Sequence, residues 1–282
     1  CYSGTQCGAG QLWDLNAGWT IGAGTSPVLS GDGSVLATVA ISQVAGGFYL
    51  GPAQVYADAI DGDRDTLPGE WERQFGFDPG DPADAASDPD GDGRSTLDEW
   101  LAGTHPRGTW HAYFAEGATG FFQDVVTLVN PASKSAVAQV RTYAPDGTVR
   151  QRMIDVPGPF AWSLDVGAKP GLEREAFSMV VEADRPLAAE REMSWDGTTW
   201  DSPRYGAHAE IGVPTPATAW YLAEGATHSG FDLFYLVANA GDEAASVEVT
   251  YLRPTPAPPF TRTYAVGAHS RLTIWVDQEG PL

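Results

Sequence analysis

The sequence predicts a mainly β protein, in which tandem antiparallel β-sandwich repeats follow a small acidic loop-and-helix segment. Three observations carry that prediction. The 282 residues include 33 Gly, 21 Pro, ten Trp, ten Tyr and eleven Phe, a composition suited to many short strands joined by tight turns. The chain beyond residue 110 repeats itself at an offset of 108 to 110 residues. Ahead of that repeat, two twelve-residue stretches place their carboxylates at one shared spacing. Apolar residues make up 43% of the chain, enough to build cores, and the length allows two or three domains. We divide it into an N-terminal β-rich region (1–57), an acidic segment (58–106), a first sandwich repeat (107–213) and a second, incomplete one (214–282).

In the N-terminal region, SVLATVAISQ and GFYLGPAQVYADA read as two strands joined around Gly46-Gly47. The only cysteines are Cys1 and Cys7. They admit two readings: a disulfide closing a small loop in an oxidising compartment, or a lipid-bearing Cys1 that leaves Cys7 free. Neither their number nor their spacing suits a zinc site.

The acidic segment carries the most chemistry. DGDRDTLPGEWE begins at Asp61 and puts Asp61, Asp63, Asp65 and Glu72 at positions 1, 3, 5 and 12. DPDGDGRSTLDE begins at Asp88 and puts Asp88, Asp90, Asp92 and Glu99 at the same positions. Alternate residues of a tight turn point at a common centre, and a Glu on the helix that leaves the loop closes the shell with both oxygens. This is the spacing of an EF-hand Ca²⁺ loop, with the position-7 carbonyls coming from Leu67 and Arg94. Residues 61–99 hold ten Asp and three Glu against three Arg, a net of 3 − 13 = −10, which an ion or an open, solvated chain must relieve. An open chain has no use for Trp71, Phe75, Leu97, Trp100 and Leu101, which the spacing predicts as an apolar face on two short helices. Position 6, where the chain turns sharply, is Gly93 in the second loop but Thr66 in the first. Pro79, Pro82 and Pro89 exclude an entering helix before the second loop. Asp78, Asp81 and Asp84 lie between the loops as candidates for added ligands or a further ion.

The stretch from Asp61 to Pro106 resembles the thrombospondin type 3 and dockerin-like, EF-hand-like calcium repeats of secreted bacterial proteins. That resemblance implies structural calcium bound outside the cell rather than an intracellular switch.

The repeat sets the architecture of the rest. Ala115-Glu116-Gly117-Ala118-Thr119 matches Ala223-Glu224-Gly225-Ala226-Thr227, Asn130 matches Asn239, and Val166 matches Val276. Alternation at Val125, Thr127 and Val129, and at Val247, Val249 and Tyr251, predicts strands. About seven short strands per copy argue for an antiparallel, Ig-like β-sandwich. The second copy has no counterpart of residues 173–195. Two explanations stand at this point: a fragment of a longer repeat protein, or strands supplied by a neighbouring copy, most simply its residues 30–57, propagating a filament. WYLAEGAT and AFSMVVEADRPLAAEREMSW resemble a tandem module of large secreted bacterial proteins, which implies an extracellular stalk, adhesive or filament role.

The search for catalysis is negative at this level. None of His105, His111, His208, His228 and His269 belongs to a metal or nucleophile motif, and surface positions near turns are expected for them. Glu116 and Glu224, with Asp124 and Asp232 downstream, invite a glycosidase reading. Their repetition favours a structural role instead, accepting backbone hydrogen bonds at a turn. The net charge of −21 argues against nucleic acid, and no run of 18 apolar residues spans a membrane. The resulting expectation is a non-enzymatic, calcium-stabilised extracellular or cell-surface β-repeat protein, with calcium stiffening the joint to the sandwiches. Its partners would be calcium, copies of itself, and a surface polysaccharide or protein ligand. The alternative is the non-catalytic, carbohydrate-binding region of a secreted hydrolase.

Overall fold

The computed structural model describes residues 61–199, 202–223, 225–254 and 256–280. The strands between residues 13 and 57, and residues 197–199 and 202–205, are given as backbone alone. The chain divides into two compact units, residues 1–107 and 108–282.

In the first unit β1 (Trp13–Asp14) pairs with β2 (Trp19–Thr20). A second antiparallel sheet runs in the order β3 (Thr25–Leu29), β4 (Val35–Val44) and β5 (Gly47–Ala57), the last two being the strands expected around Gly46-Gly47. Cys1 and Cys7 lie outside the described residues. The acidic segment folds as α1 (Gly69–Phe75), a single 3₁₀ turn (Asp84–Ala86) and α2 (Thr96–Ala102). Both helices stop at a glycine in the left-handed region, Gly76 at φ 74° and Gly103 at φ 68°. Ser95 starts α2 with a capping box closed by Asp98.

Seven-residue helices are too short to persist alone, so their packing holds them. Trp71 is the hub. Its ring lies 4.7 Å from Phe75, 6.0 Å from Phe77 and 5.4 Å from Trp100. Leu67 is completely buried beside α1. Two expectations are corrected here. Leu101 is 70% exposed, because it sits one residue, about 100° of helix, past Trp100 and points away from the shared face. His105 is buried, not on the surface; it meets the Phe75 ring edge-on at 4.8 Å, and its Nδ1 accepts the Arg107 N–H.

The second unit is mainly β, in antiparallel sheets. Its first copy has eight strands: β6 (Trp110–Phe114), β7 (Gln123–Asn130), β8 (Ala136–Tyr143), β9 (Val149–Val156), β10 (Phe160–Asp165), β11 (Ser178–Ala183), β12 (Ala188–Thr199) and β13 (Ser202–Ile211). They form two four-stranded sheets, β10-β7-β12-β13 and β6-β11-β8-β9. Phe114, Val126, Leu128, Val156, Phe177 and Met179 fill the space between them.

The second copy contributes β14 (Phe234–Asn239), β15 (Ala245–Tyr251), β16 (Phe260–Val266) and β17 (Ser270–Trp275), paired as β14-β17 and β15-β16. These correspond to β7 through β10. Asn130 and Asn239 brace the two copies alike. Asn130 Nδ2 donates to the carbonyls of Lys134 and Val156 at 2.8 and 2.9 Å. Asn239 Nδ2 donates to those of Glu243 and Gly267 at 2.7 and 2.9 Å. In the first copy β7 also pairs with β12 and β8 with β11; among the described residues, β14 and β15 are each paired on one side only. Trp220, Tyr221 and Leu222 match the region of β6 in sequence, yet are exposed and form no strand. A strand needs a ladder partner, and β6 has one in β11.

Candidate metal centre

The two acidic loops share one backbone design. Asp61 Oδ2 accepts the Thr66 N–H at 2.9 Å and Asp88 Oδ2 accepts that of Gly93 at 3.0 Å. Asp61 Oδ1 accepts from Arg64, and Asp88 Oδ1 from Gly91. Asp63 and Asp90 each accept the N–H two residues on at 3.3 Å. Asp65 and Asp92 accept the N–H groups of the position-7 residues Leu67 and Arg94, at 2.7 and 2.8 Å. Positions 4 and 6 are left-handed in both loops. Gly91 and Gly93 take this freely at φ 79° and 94°, whereas Arg64 and Thr66 are held there at 72° and 87°. A β-branched residue in that region is strained, by about 1–3 kcal/mol. The first loop therefore follows the shape of the second in spite of its residues.

The structure gathers the expected ligands unevenly. Asp61, Asp63 and Asp65 have carboxylate oxygens within 4.8 Å of one another, and so do Asp88, Asp90 and Asp92. Glu72 meets Asp65 together with Asp84, from the 3₁₀ turn. Glu99 stands outside the second cluster and accepts the Thr104 hydroxyl at 3.0 Å. Glu72 is wholly buried, and neither of its oxygens has a hydrogen-bond partner. Burial, and then the charges of Asp84, Asp65, Asp63 and Asp61, push its carboxyl up to about 7. Asp63 and Asp84 are also raised, first by burial. A cation is the group that would reverse all three shifts at once.

Glu116 belongs to a separate cluster on the first sandwich, where the buried Arg191 meets half-buried and exposed partners. The fully buried Arg191 donates from Nη2 to Glu116 at 2.7 Å and from Nε and Nη2 to Glu210 at 3.1 and 2.9 Å. His208 Nε2 lies 2.8 Å from the same Glu116 oxygen. The expected backbone bonds of Glu116 are made instead by Asp124, whose Oδ2 accepts the Ala118 N–H at 3.1 Å. Arg191 carries no motif in the sequence; its one signal is a lone Arg within the alternating run AAEREMSW. The strand register also sets Asp124 against Leu233, since Val166 N–H bonds the Asp124 carbonyl and Val276 N–H that of Leu233. The second copy therefore carries Leu233, not Asp232, at this position.

Burial holds the Asp124 carboxyl at about 6, above its ordinary 3.8, although Arg191 and the Ala118 N–H pull it down. The folded state thus keeps a proton between pH 4 and 6 that the unfolded state releases. Stability from this group is complete below the unfolded value and is lost as pH rises through the folded one. The shift from 3.8 to about 6 corresponds to roughly 3 kcal/mol. Denaturant titrations from pH 3.5 to 7.5 are expected to show this fall relative to Asp124→Asn; parallel curves for the two proteins would contradict it.

No protein-family model matches the chain, and no curated protein does. Among solved structures, Thermotoga maritima 1070 is similar at 13% identity and a TM-score of 0.34, over 38% of this chain and 96% of its own. The Anabaena sensory rhodopsin transducer is similar at 16% identity and a TM-score of 0.27, over 29% of this chain and 85% of its own. Likenesses this low carry no argument about this chain. No helix among the described residues is long and apolar enough to cross a membrane.

Proposed function

We propose that the chain is a non-enzymatic, calcium-stabilised structural or adhesive β-repeat protein of the cell exterior, serving as a surface stalk or filament subunit. The observation that carries this reading is the buried Glu72, whose two oxygens lack any donor at the end of a loop with Ca²⁺-ligand spacing. A buried carboxylate without a hydrogen bond or counter-ion is costly, and a hard divalent cation satisfies it. The second loop repeats the turn geometry around Asp88, Asp90 and Asp92. The carboxylates of the second loop are largely exposed, and the sites suit the weak range of extracellular modules, roughly 10⁻⁴–10⁻³ M. Among the described residues β14 and β15 are each paired on one side only, and in the first copy the matching edges of β7 and β8 are taken by β12 and β11, which is how added strands would extend the second copy.

Calorimetry on chelator-treated full chain is expected to show Ca²⁺ binding in that range, with residues 61–106 becoming resistant to proteolysis. Replacing Asp88 and Asp90 by Ala should loosen this segment and leave the first sandwich folded. Absence of binding and of protection at several times the expected dissociation constant would overturn the reading.

A further inference from the structure

The sequence AEGAT occurs once in each copy, and the calcium reading gives it no role. In the first copy it forms a turn pinned at three points. The Ala118 N–H bonds Asp124 Oδ2 at 3.1 Å, the Thr119 N–H bonds the Glu175 carbonyl at 2.9 Å, and the Gly117 carbonyl accepts the Phe177 N–H at 2.9 Å. A carbonyl oxygen has two lone pairs, and the second one of Gly117 is taken from the other copy. Arg271 Nη1, on β17, donates to the Gly117 carbonyl at 2.8 Å and to the Phe177 carbonyl at 3.0 Å. Its Nη2 bonds Thr273 Oγ1 of the same strand at 2.7 Å. These acceptors are all neutral, although Arg271 is buried. Burial lowers its proton affinity, and the charge of Glu116 acts against that. Glu116 thus supplies negative charge to two arginines, Arg191 of its own sandwich and Arg271 of the next.

The strand register assigns this arginine to the joint between copies rather than to the repeat itself. β17 pairs Ser270 with Asn239 and Arg271 with Ala238, while β10 pairs Phe160 with Asn130 and Ala161 with Val129. Asn130 and Asn239 are equivalent, so Ala161 stands in the first copy where Arg271 stands in the second, and Pro159 where His269 stands. His269 makes the other contact across the joint. Its ring stacks on the buried Tyr143 with centroids 5.4 Å apart, and its Nε2 lies 2.9 Å from Asp242 Oδ1. Both side chains that reach the first copy therefore have no like counterpart in that copy. We propose that the AEGAT turn is a socket for the copy that follows, with Arg271 as the plug and Glu116 as its counter-charge. The partner that fits this socket is a β-sandwich copy bearing Arg at this register of its β10-type strand. Gly is needed at 117 because a Cβ there would fall 2.2 Å from the Phe177 ring that backs the socket. The inference stands apart from calcium, since it concerns only the joint between the two sandwich copies.

The test cuts the full chain between the copies. Residues 214–219 are exposed and belong to no strand, so a specific protease site placed there can be cleaved in the folded protein. The two pieces of wild type are expected to stay together on gel filtration. Arg271→Met keeps the length of the side chain and removes its charge and donors, and should weaken the association about tenfold or more. Arg262→Met is the control. Arg262 lies in the same copy, on β16, and its half-exposed pair with Glu279 is away from the socket, so the association should stay within about twofold of wild type. In the uncut Arg271→Met chain the β15-β16 ladder, which does not include Arg271, should keep its hydrogen-exchange protection. Separation of the wild-type pieces, or wild-type affinity in Arg271→Met, would overturn the proposal. Equal weakening by Arg262→Met, or loss of protection in β15-β16, would show that Arg271 acts inside the second copy and would overturn it as well.

Discussion

Replacing Arg191 by Ala is expected to destabilise the first sandwich by about 3 kcal/mol, the low end of the cost of removing one partner from a buried ion pair, because Glu116 and Glu210 keep contact with water. Arg191 has no exposed surface and supplies the positive charge facing Glu116 and Glu210, with Asp124 4.0 Å from its Nη1. Without it, the buried Asp124 loses the charge that partly offsets its desolvation. In the second copy Leu233 stands at the register of Asp124. The double substitution Arg191→Met with Asp124→Leu should cost less than Arg191→Ala alone, because it removes the fully buried carboxylate together with its cation, while Glu116 and Glu210 keep contact with water. Urea unfolding followed by tryptophan fluorescence checks both. An Arg191→Ala midpoint equal to wild type, or a double variant worse than the single, would contradict this account.

Phe177→Ala is expected to cost a further about 3–5 kcal/mol in the same assay, through loss of buried area and the cavity left behind. Phe177 is fully buried and lies directly on Gly117 of the AEGAT turn, so that a Cβ on Gly117 would fall 2.2 Å from a ring carbon. The ring fills the space that the missing side chain leaves, and the Phe177 N–H bonds the Gly117 carbonyl at 2.9 Å. Arg271 Nη1, from β17, donates to the Gly117 carbonyl at 2.8 Å and to the Phe177 carbonyl at 3.0 Å. Arg271 is buried, and desolvation lowers its proton affinity. Loss of the ring should accordingly loosen the second copy as well as the first. Hydrogen exchange in β17 would report it; unchanged protection there would confine the effect to the first sandwich.

The strands, the repeat and the paired loops were legible because each depends on local periodicity. Alternation from Val125 to Val129 predicts β7 without reference to any partner, and Asn130 with Asn239 marks equivalent turns because one residue type makes the same bonds in both. The loop carboxylates were legible for the same reason, since an Asp that accepts the N–H two residues on is a local event. Where the notion of a surface failed, distant residues had decided the matter. His105 is buried by Phe75, thirty residues earlier, and Leu101 is exposed by its angle on a helix whose orientation Trp71 sets. Nothing in the spacing of Glu116 and Asp124 reveals Arg191, which approaches from β12. Likewise Asp84 reaches Glu72 through the fold of the inter-loop segment, not through any motif.

The sequence by itself determined the β character, the tandem copies and the candidate cation ligands at positions 1, 3 and 5 of each loop, because periods of two residues and short loops are set by neighbouring backbone geometry. Only the tertiary structure decided which carboxylates share a centre, which histidine is buried and which arginine sits among the acids. Those outcomes depend on side chains separated by many residues, and burial and charge act through distance in space, which chain spacing does not encode.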